Sequence, residues 1–482
     1  MSAGARADPL ELPSEVVDTH SGRVRGLRRV DPASGSESLA FHGIPYARHP
    51  AGALRLAPPQ PPESWRAVRD ATRPTDPTAN ALHVNVFTPD LDGRLPVLFW
   101  IHGGAFTNGS PLDEQLDGVS LNHAGVVLVS ASYRLGFEGF GHVDGAVPNR
   151  GVHDWLAALE WVRHSIRSFG GDPDRVTVGG HSAGGGAALT LLGMPGAQHL
   201  FHRAFSLSGA LADVAPARAR ERTRRLAALA RVEAANLPDV ASEQLAVLLR
   251  KAASAQQGDA ARAERLREGL PWGPVVDGDL VHLPVAEAAR AGIGADKALL
   301  IGAADDEFTP AQRSRQDALD ELDIDRMLLP FLMDVSVRAA YLAVNVESAA
   351  RGNADLLGRL MSDGICRALV PQLADLRARA HAPTWTYRFG WRSPVTGSAS
   401  HTIDLPFWFD GLGKDRARRL LGDGAPQPLA NDMHAALVHF VRGIDPGWPA
   451  WRPGMPVTRQ YGLAEPTSET AYASVRPLVP AG

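Results

Sequence analysis

A serine with small neighbours stands in the segment RVTVGGHSAGGGAALTLL, where Ser182 is the centre of Gly180-His181-Ser182-Ala183-Gly184. An apolar, strand-like run precedes this pattern and an Ala/Leu-rich, helix-like run follows it, as a nucleophile elbow requires. The two glycines fit because a sharp strand-to-helix turn leaves no room for side chains beside the serine. The sequence therefore predicts that Ser182 is a nucleophile whose hydroxyl stands clear of a sheet.

A second turn of small residues ends the apolar run LPVLFWI, and reads His102-Gly103-Gly104-Ala105. Turns of this type supply backbone donors to the tetrahedral oxyanion of an acyl-transfer reaction. The N–H of Ala183, at the positive end of the predicted helix, faces the same place. We predict an oxyanion hole formed by the N–H groups of Gly104, Ala105 and Ala183.

A serine hydroxyl needs a base and an orienting acid, and the expected chain order is serine, acid, histidine. His401 fits as the base, because it lies in the small-residue loop TGSASHTIDLPFWFDG after the strand-like run PTWTYRFGW, whereas the later histidines lie in the amphipathic run NDMHAALVHFVRG. The acid could be Asp305, Asp306 or Glu307, which directly follow the strand-like KALLIG. Spacing alone leaves the three open, and the two that do not reach His401 are expected to face solvent or cap a turn.

The elements around these motifs predict an α/β fold. Residues 14–90 read as short strands separated by proline-rich loops, an antiparallel edge. From residue 95 onward, buried-strand runs alternate with helical sequence, which favours a large, mostly parallel central sheet with helices on both faces. Residues 214–270 are rich in Ala, Arg and Leu and predict a helical insertion that roofs the site. No linker or repeat divides the chain, so residues 1–482 are expected to form one domain.

Composition limits the partners. The chain has 49 basic and 53 acidic residues and a formal net charge of −4, which offers no attraction to nucleic acid or to an anionic membrane. The arginines between Arg218 and Arg231 are interpreted as a solvated helix face rather than a basic patch. With Cys366 as the single cysteine and no apolar run of 18 residues, we expect a cytoplasmic protein, a monomer or weak homo-oligomer, although secretion from a longer precursor is left open.

Several blocks together resemble the type-B carboxylesterase family, which includes bacterial p-nitrobenzyl esterases and the cholinesterases. The similar blocks cover nearly the whole chain and occur in family order: FHGIPYARHPAGALRLAPP, NVFTP, PVLFWIHGGAF, SYRLGFEGF, FGGDPDRVTVGGHSAGG, HRAFSLSG and GPVVDGD. The resemblance implies the α/β-hydrolase fold and a serine carboxylesterase. Such an enzyme hydrolyses small esters with water, through an acyl-enzyme on Ser182, and uses neither metal nor cofactor.

The resemblance also assigns roles. The family's acid is the glutamate of a DEG-like triplet, which implies Glu307, with Asp306 beside it. Ser208 resembles the family's serine behind the triad, and Asp404 matches an acidic residue three positions after the histidine. The sequence departs from the family where Phe308 and Thr402 replace glycines, where Ala81 replaces a disulfide cysteine, and in a shortened stretch between residues 65 and 85 that we expect to leave the site more open.

Other functions on the same scaffold are weighed against this one. The first is hydrolysis of lactones, amides or carbamates with the same triad, which the sequence leaves open. The second is a non-catalytic binding or adhesion relative, since this fold also serves as a binding module. Retention of Ser182, His401 and an eligible acid argues against the second.

Overall fold

The computed structural model describes residues 10–31, 35–75, 81–255 and 258–479, with side chains from residue 15 onward except at 253–255. Within these residues, thirteen strands form one mixed sheet. In chain order they are β1 (Leu10–Thr19), β2 (Gly22–Val30), β3 (Glu37–Pro45), β4 (Arg69–Asp70), β5 (His83–Thr88), β6 (Leu95–Ile101), β7 (Val127–Ala131), β8 (Gly171–His181), β9 (Arg203–Leu207), β10 (Ala298–Ala304), β11 (Thr384–Phe389), β12 (Thr458–Tyr461) and β13 (Thr467–Ser468).

The spatial order of the strands is β1-β2-β3-β5-β7-β6-β8-β9-β10-β11-β12-β13, and β4 pairs with β2. The run from β7 to β12 is parallel throughout. The main N-terminal strands β1, β2, β3 and β5 pair antiparallel with their neighbours, as the sequence predicts for this edge. Because the strands from β7 to β12 all run in one direction, their carboxyl ends lie at the same edge of the sheet, although they come from distant segments of the chain.

Helices connect the strands. They are α1 (Val119–His123), α2 (Gly136–Phe140), α3 (Arg150–Ser165), α4 (Ala183–Leu192), α5 (Pro216–Ala230), α6 (Ser242–Ala255), α7 (Asp259–Glu268), α8 (Val285–Arg290), α9 (Thr309–Arg313), α10 (Gln316–Asp320), α11 (Ile324–Leu328), α12 (Val335–Val344), α13 (Val346–Ala350), α14 (Asn353–Ser362), α15 (Leu369–Arg379), α16 (Leu405–Trp408), α17 (Asp415–Leu421) and α18 (Gln427–Arg442). A π-helix, Asp363–Arg367, continues α14. None of the helices in the described part of the chain is long and apolar enough to cross a bilayer.

Two apolar layers hold the helices against the sheet, and strand β6 contributes to both. Its residues Val97, Phe99 and Ile101 pack into a layer with α3 and α4, while Leu98 and Trp100 pack into the opposite layer with α16 and α18. Period-2 alternation puts successive side chains on opposite faces, so a strand covered on both faces must be apolar throughout. The predicted mostly parallel sheet with helices on both faces is therefore present.

Sequence reasoning located the main strands but missed short ones. The segment HRAFSLSG contains β9, and the strands β12 and β13 close the far edge of the sheet. The predicted helical stretch 214–270 contains α5, α6 and α7. Part of the shortened stretch between residues 65 and 85, at residues 76–80, lies outside the described residues.

Strands β10 and β11 approach closely where Gly302 faces Tyr387. A Cβ on Gly302 would lie 2.2 Å from Tyr387 Cδ1 and 2.3 Å from its carbonyl oxygen. We predict that Gly302→Ala lowers the free energy of unfolding by about 1–3 kcal/mol, because Tyr387 is fully buried and cannot yield without disturbing its neighbours. Gly413→Ala is the matched control, since nothing lies within 4 Å of the added Cβ. Equal urea midpoints for the two variants would contradict the prediction.

Candidate active site

Ser182 occupies the turn between β8 and α4 with a strained backbone, at φ 60° and ψ −124°. The glycines on either side are required by packing. A Cβ at Gly180 would lie 2.3 Å from the carbonyl carbon of Gly184, and a Cβ at Gly184 would lie 2.0 Å from the Ile101 carbonyl oxygen. The serine therefore sits on a turn that only small neighbours allow.

Backbone hydrogen bonds to the end of β9, to the segment after it and to α4 hold the strained serine in place. Its N–H donates to the Leu207 carbonyl at 2.9 Å, and its own carbonyl accepts from the N–H groups of Gly186 at 2.9 Å and Ala210 at 3.0 Å. These bonds hold the backbone of Ser182 while its side chain stays free of protein partners within the described residues. The hydroxyl is thus presented to the cavity above the sheet.

The corner after β6 lies directly beside this turn. A Cβ at Gly103 would meet the His181 carbonyl oxygen at 2.7 Å and Ser182 Cβ at 3.2 Å. The corner then continues with left-handed backbone at Gly104 (φ 115°) and Ala105 (φ 52°). Across the described ranges, the N–H groups of these two residues have no protein acceptor. Both are therefore available to a ligand oxygen at Ser182, as is the N–H of the first residue of α4 by its position in the helix.

Of the three candidate acids, Glu307 is the one that contacts His401. Its Oε2 lies 2.5 Å from His401 Nδ1, and its Oε1 accepts from the Ala304 N–H at 2.8 Å. The His401 ring packs against Phe308, with ring centroids 5.2 Å apart, and against His181 at 4.5 Å. Burial lowers the pKa of His181 well below its usual value, so His181 stays neutral and adds no second charge beside His401.

Asp305 belongs to a buried ion network instead. Its carboxylate accepts from Arg367 at 2.6 Å and from Arg388 at 2.7 and 2.8 Å. Burial raises the pKa of Asp305, but Arg367, Arg388 and Arg359 outweigh burial and hold that pKa far below its usual value. The sequence-based expectation that this residue faces solvent or caps a turn is therefore wrong, because three arginines from distant segments converge on it.

Asp306 is buried as well, and the same correction applies to it. Its carboxylate pairs with Arg392 at 3.2 Å and accepts from the Ala399 N–H at 3.3 Å, two residues before His401. Asp306 thus ties the histidine loop to the end of β10 without contacting the imidazole.

Two further buried polar groups match positions named from the sequence. Asp404 is fully buried and accepts a hydrogen bond from the Tyr387 hydroxyl at 3.0 Å. Burial, reinforced by the nearby Glu307 carboxylate, raises the pKa of Asp404 to about 6. Ionising Asp404 is harder in the folded chain than in the unfolded chain, so it costs folding free energy increasingly as pH rises through about 6. Ser208 is fully buried with a left-handed backbone (φ 45°), and its hydroxyl has no protein partner within the described ranges.

The single cysteine lies next to the acid and the histidine. Ligand atoms of Glu307, Cys366 and His401 all lie within 4.8 Å of one another, a donor set that could hold a metal ion. Burial, with the Glu307 charge, raises the pKa of the Cys366 thiol well above its usual value, so the sulfur stays protonated and is a poor ligand. His401 Nδ1 is also engaged by Glu307. The arrangement fits a buried hydrophobe beside a Glu–His pair.

A cavity of about 850 Å³ opens above the carboxyl edge of the sheet, and Ser182, His401 and the corner after β6 all line it. The predicted roof lines it too, through residues of α5, α6 and α7. Phe308 faces the cavity, whereas Phe106 is fully buried and packs among Phe140 and Trp155. Within the described ranges, no hydrogen bond joins the Ser182 hydroxyl to His401, so proton transfer requires the two side chains to close together.

Sequence reasoning missed part of the cavity wall. Met361 and Ile365 line it from α14 and the π-helix, and nothing but a helical pattern marks them in the sequence. The predicted solvated face of α5 is present in part: Arg224 and Arg225 are exposed and pair with Glu221. Arg222 is only 10% exposed, and both Arg222 and Arg225 line the cavity, which the sequence did not predict. Which side of the roof faces inward depends on how α5 packs, and arginine spacing does not reveal it.

Comparison with known proteins shows which protein family the chain resembles. Residues 13–472 match the carboxylesterase family. The chain is 32% identical to the para-nitrobenzyl esterase of Bacillus subtilis, over 91% of this chain and 93% of that protein. It is 30% identical to the fumonisin B1 esterase of Sphingopyxis macrogoltabida, over 92% and 85% respectively. The crystal structure of a Geobacillus stearothermophilus carboxylesterase is similar with a TM-score of 0.82 and 30% identity, covering 96% of this chain and 100% of that one. The predicted α/β-hydrolase fold is confirmed.

The buried network gives a prediction that separates stability from chemistry. We expect Asp305→Asn to lower the free energy of unfolding by about 3–5 kcal/mol, because it leaves Arg367, which is 0% exposed, without its closest countercharge. Urea unfolding measures this change. Asp423→Asn, at an exposed position, is the control for the same chemical substitution and should be neutral. A folded, fully stable Asp305→Asn protein without esterase activity would instead place Asp305 in the reaction.

Proposed function

The chain belongs to the carboxylesterase family and is a serine carboxylesterase, and from that premise we propose that Ser182, His401 and Glu307 carry out the hydrolysis. One observation carries the assignment: the hydrogen bond between Glu307 and His401 Nδ1, in a cavity that Ser182 also lines. A carboxylate on Nδ1 leaves Nε2 unprotonated and able to accept a proton. That is the tautomer that a general base for Ser182 needs.

The reaction begins with transfer of the serine proton. His401 Nε2 takes the proton of Ser182 as Oγ attacks the ester carbonyl, and Glu307 stabilises the imidazolium that forms. The alcohol leaves with the proton held by His401. A water molecule, activated by the same imidazole, then attacks the acyl-enzyme and releases the acid and Ser182.

Backbone donors stabilise the tetrahedral oxygen in both steps. We propose that the N–H groups of Gly104, Ala105 and Ala183 form this oxyanion hole. The closeness of Gly103 to Ser182 supports the proposal, as does the lack of protein acceptors for Gly104 and Ala105 in the described ranges. Fixed donors of this type act without reorganisation when the charge develops.

Around this machinery we propose that Asp404, Asp306 and Ser208 position the histidine and the acid without touching substrate. Asp306 secures the loop before His401, and the buried Asp404 lies close enough to affect both Glu307 and His401 electrostatically. We also propose that the protein is a cytoplasmic monomer or weak homo-oligomer that does not bind nucleic acid, which the net charge of −4 and the single cysteine support. Gel filtration tests the oligomeric state.

The acid assignment predicts unequal effects of two isosteric substitutions. With 4-nitrophenyl acetate, Glu307→Gln should lower kcat by about 10³–10⁴-fold, because the amide no longer favours the reactive tautomer of His401. Asp306→Asn should stay within about tenfold of the wild type, since it removes a loop contact rather than the charge on the imidazole. Ser182→Ala sets the background rate. If Asp306→Asn loses activity and Glu307→Gln keeps it, the acid is wrongly assigned.

The raised pKa of Asp404 predicts a pH-dependent effect. Above about pH 6 the wild-type Asp404 carboxylate is ionised and stabilises the imidazolium of His401, whereas below that pH it is protonated and resembles asparagine. Asp404→Asn should therefore lower kcat/KM about tenfold at pH 8, which corresponds to a loss of about 1.4 kcal/mol of transition-state stabilisation. The difference should vanish towards pH 5. A ratio of wild type to variant that is constant from pH 5 to pH 8 would show that Asp404 does not act through its charge.

A further inference from the structure

The charged residues that line the cavity are almost all arginines. They come from the roof helices α5 and α7 and from α17: Arg222, Arg225, Arg262, Arg265 and Arg416. Within the described residues, Asp113 is the one acidic side chain that lines the same cavity. The proposed reaction at Ser182 uses none of these arginines, so their presence in the cavity needs another explanation.

Four of the five arginines are already paired with acids. Arg222 pairs with Glu264 at 3.1 Å and Arg225 with Glu221 at 2.9 Å. The other two pairs follow the same pattern, and are Arg262 with Asp259 at 3.0 Å and Arg416 with Asp113 at 2.7 Å. Each of the four charges therefore has a countercharge beside it, and the pair of Arg222 with Glu264 also joins α5 to α7.

Arg265 differs from the other four. In the described part of the chain its guanidinium forms no hydrogen bond and no ion pair. It is nevertheless partly buried, and burial together with the neighbouring Arg262 lowers its pKa. A guanidinium withdrawn from water without a countercharge is unfavourable. On the same helix, Arg267 is exposed and donates to the Pro330 carbonyl at 3.3 Å.

Helix α7 places this unpaired charge in the cavity that Ser182 and His401 also line. Ala263 and Leu266 of the same helix pack against the cluster that includes Met361 and Ile365, both of which line the cavity. Phe308, which packs on the His401 ring, touches that same cluster. Arg265 and His401 thus line the same cavity, and one apolar cluster connects the helix of Arg265 to the phenylalanine that packs on His401.

We propose that Arg265 binds a carboxylate carried by the substrate, so that the enzyme prefers anionic esters such as half-esters of dicarboxylic acids. The planar guanidinium can hold a carboxylate by two parallel hydrogen bonds, which an ammonium group cannot. Such a substrate supplies the countercharge that the chain itself does not. This inference rests on the proposed ester hydrolysis at Ser182 and assigns a substrate class to it.

The test compares matched esters with and without the charge. For a carboxylate on the acyl side, the pair is mono-4-nitrophenyl adipate and 4-nitrophenyl hexanoate, and for one on the alcohol side it is 4-acetoxybenzoate and phenyl acetate. For each pair we take the kcat/KM of the anionic ester divided by the kcat/KM of the neutral ester. In at least one pair, Arg265→Gln should lower this ratio about 10- to 100-fold, and the neutral ester should be cleaved as before. Arg267→Gln removes the same charge two positions away and should leave the ratio unchanged.

A wild-type measurement makes the test independent of how well the variant folds. The preference for the anionic ester should weaken as salt is raised, because mobile ions screen the arginine, while the neutral ester responds little. If Arg265→Gln leaves the ratio unchanged in both ester pairs, or if salt weakens the wild-type preference in neither pair, the proposal is overturned, although ester hydrolysis stands. Arg265 then merely lays its aliphatic stem along the wall. If the wild type cleaves none of the four esters, the proposed function itself fails.

Discussion

A close contact between two backbones is the constraint on which the rest of the site depends. Gly184, at the start of α4, lies so close to the Ile101 carbonyl that no side chain fits between them. The parallel pairing of β6 with β8 sets this contact, because the register places Ile101 opposite Gly180. Both strands therefore end at the same level, and the two corners that follow them turn towards each other. Ser182 on one corner and the backbone N–H groups of Gly104 and Ala105 on the other, which we propose as nucleophile and oxyanion donors, meet there without any long side chain having to reach across.

The same parallel arrangement positions His401, which follows a strand farther along the sheet. Strands β10 and β11 run parallel to β8 and β9, so the segments after them, with Glu307 and then His401, open at the same edge. The Glu307 carboxylate is held by the backbone of Ala304 on one oxygen and by His401 on the other. Buried ionic contacts around Asp305 fix the end of β10 beside it. Asp305 thus belongs to the buried ion network, whereas Glu307, two positions later, is the carboxylate that we propose for the reaction.

What the sequence could predict follows from what is local. Ser182, the corner at Gly104 and the loop of His401 carry strand, turn and glycine signals within a few residues, and each lies where those signals indicate. The residue types and their spacing could not distinguish Asp305, Asp306 and Glu307 as the acid. Consecutive side chains point in different directions, and their partners come from segments up to about ninety positions away. The choice of Glu307 came from the family resemblance. The sequence could not show which roof arginines line the cavity for a related reason, because the rotation of a helix about its axis is set by packing.

The central claim is that one hydroxyl, Ser182, becomes covalently acylated. The most direct measurement is to treat the protein with a fluorophosphonate, digest it, and locate the adduct by mass spectrometry. The account predicts one adduct per chain, on the peptide that contains Ser182, formed in step with the loss of esterase activity and strongly slowed in His401→Ala. An active protein that loses its activity through an adduct on another residue, or that stays unlabelled while turning over esters, would contradict it.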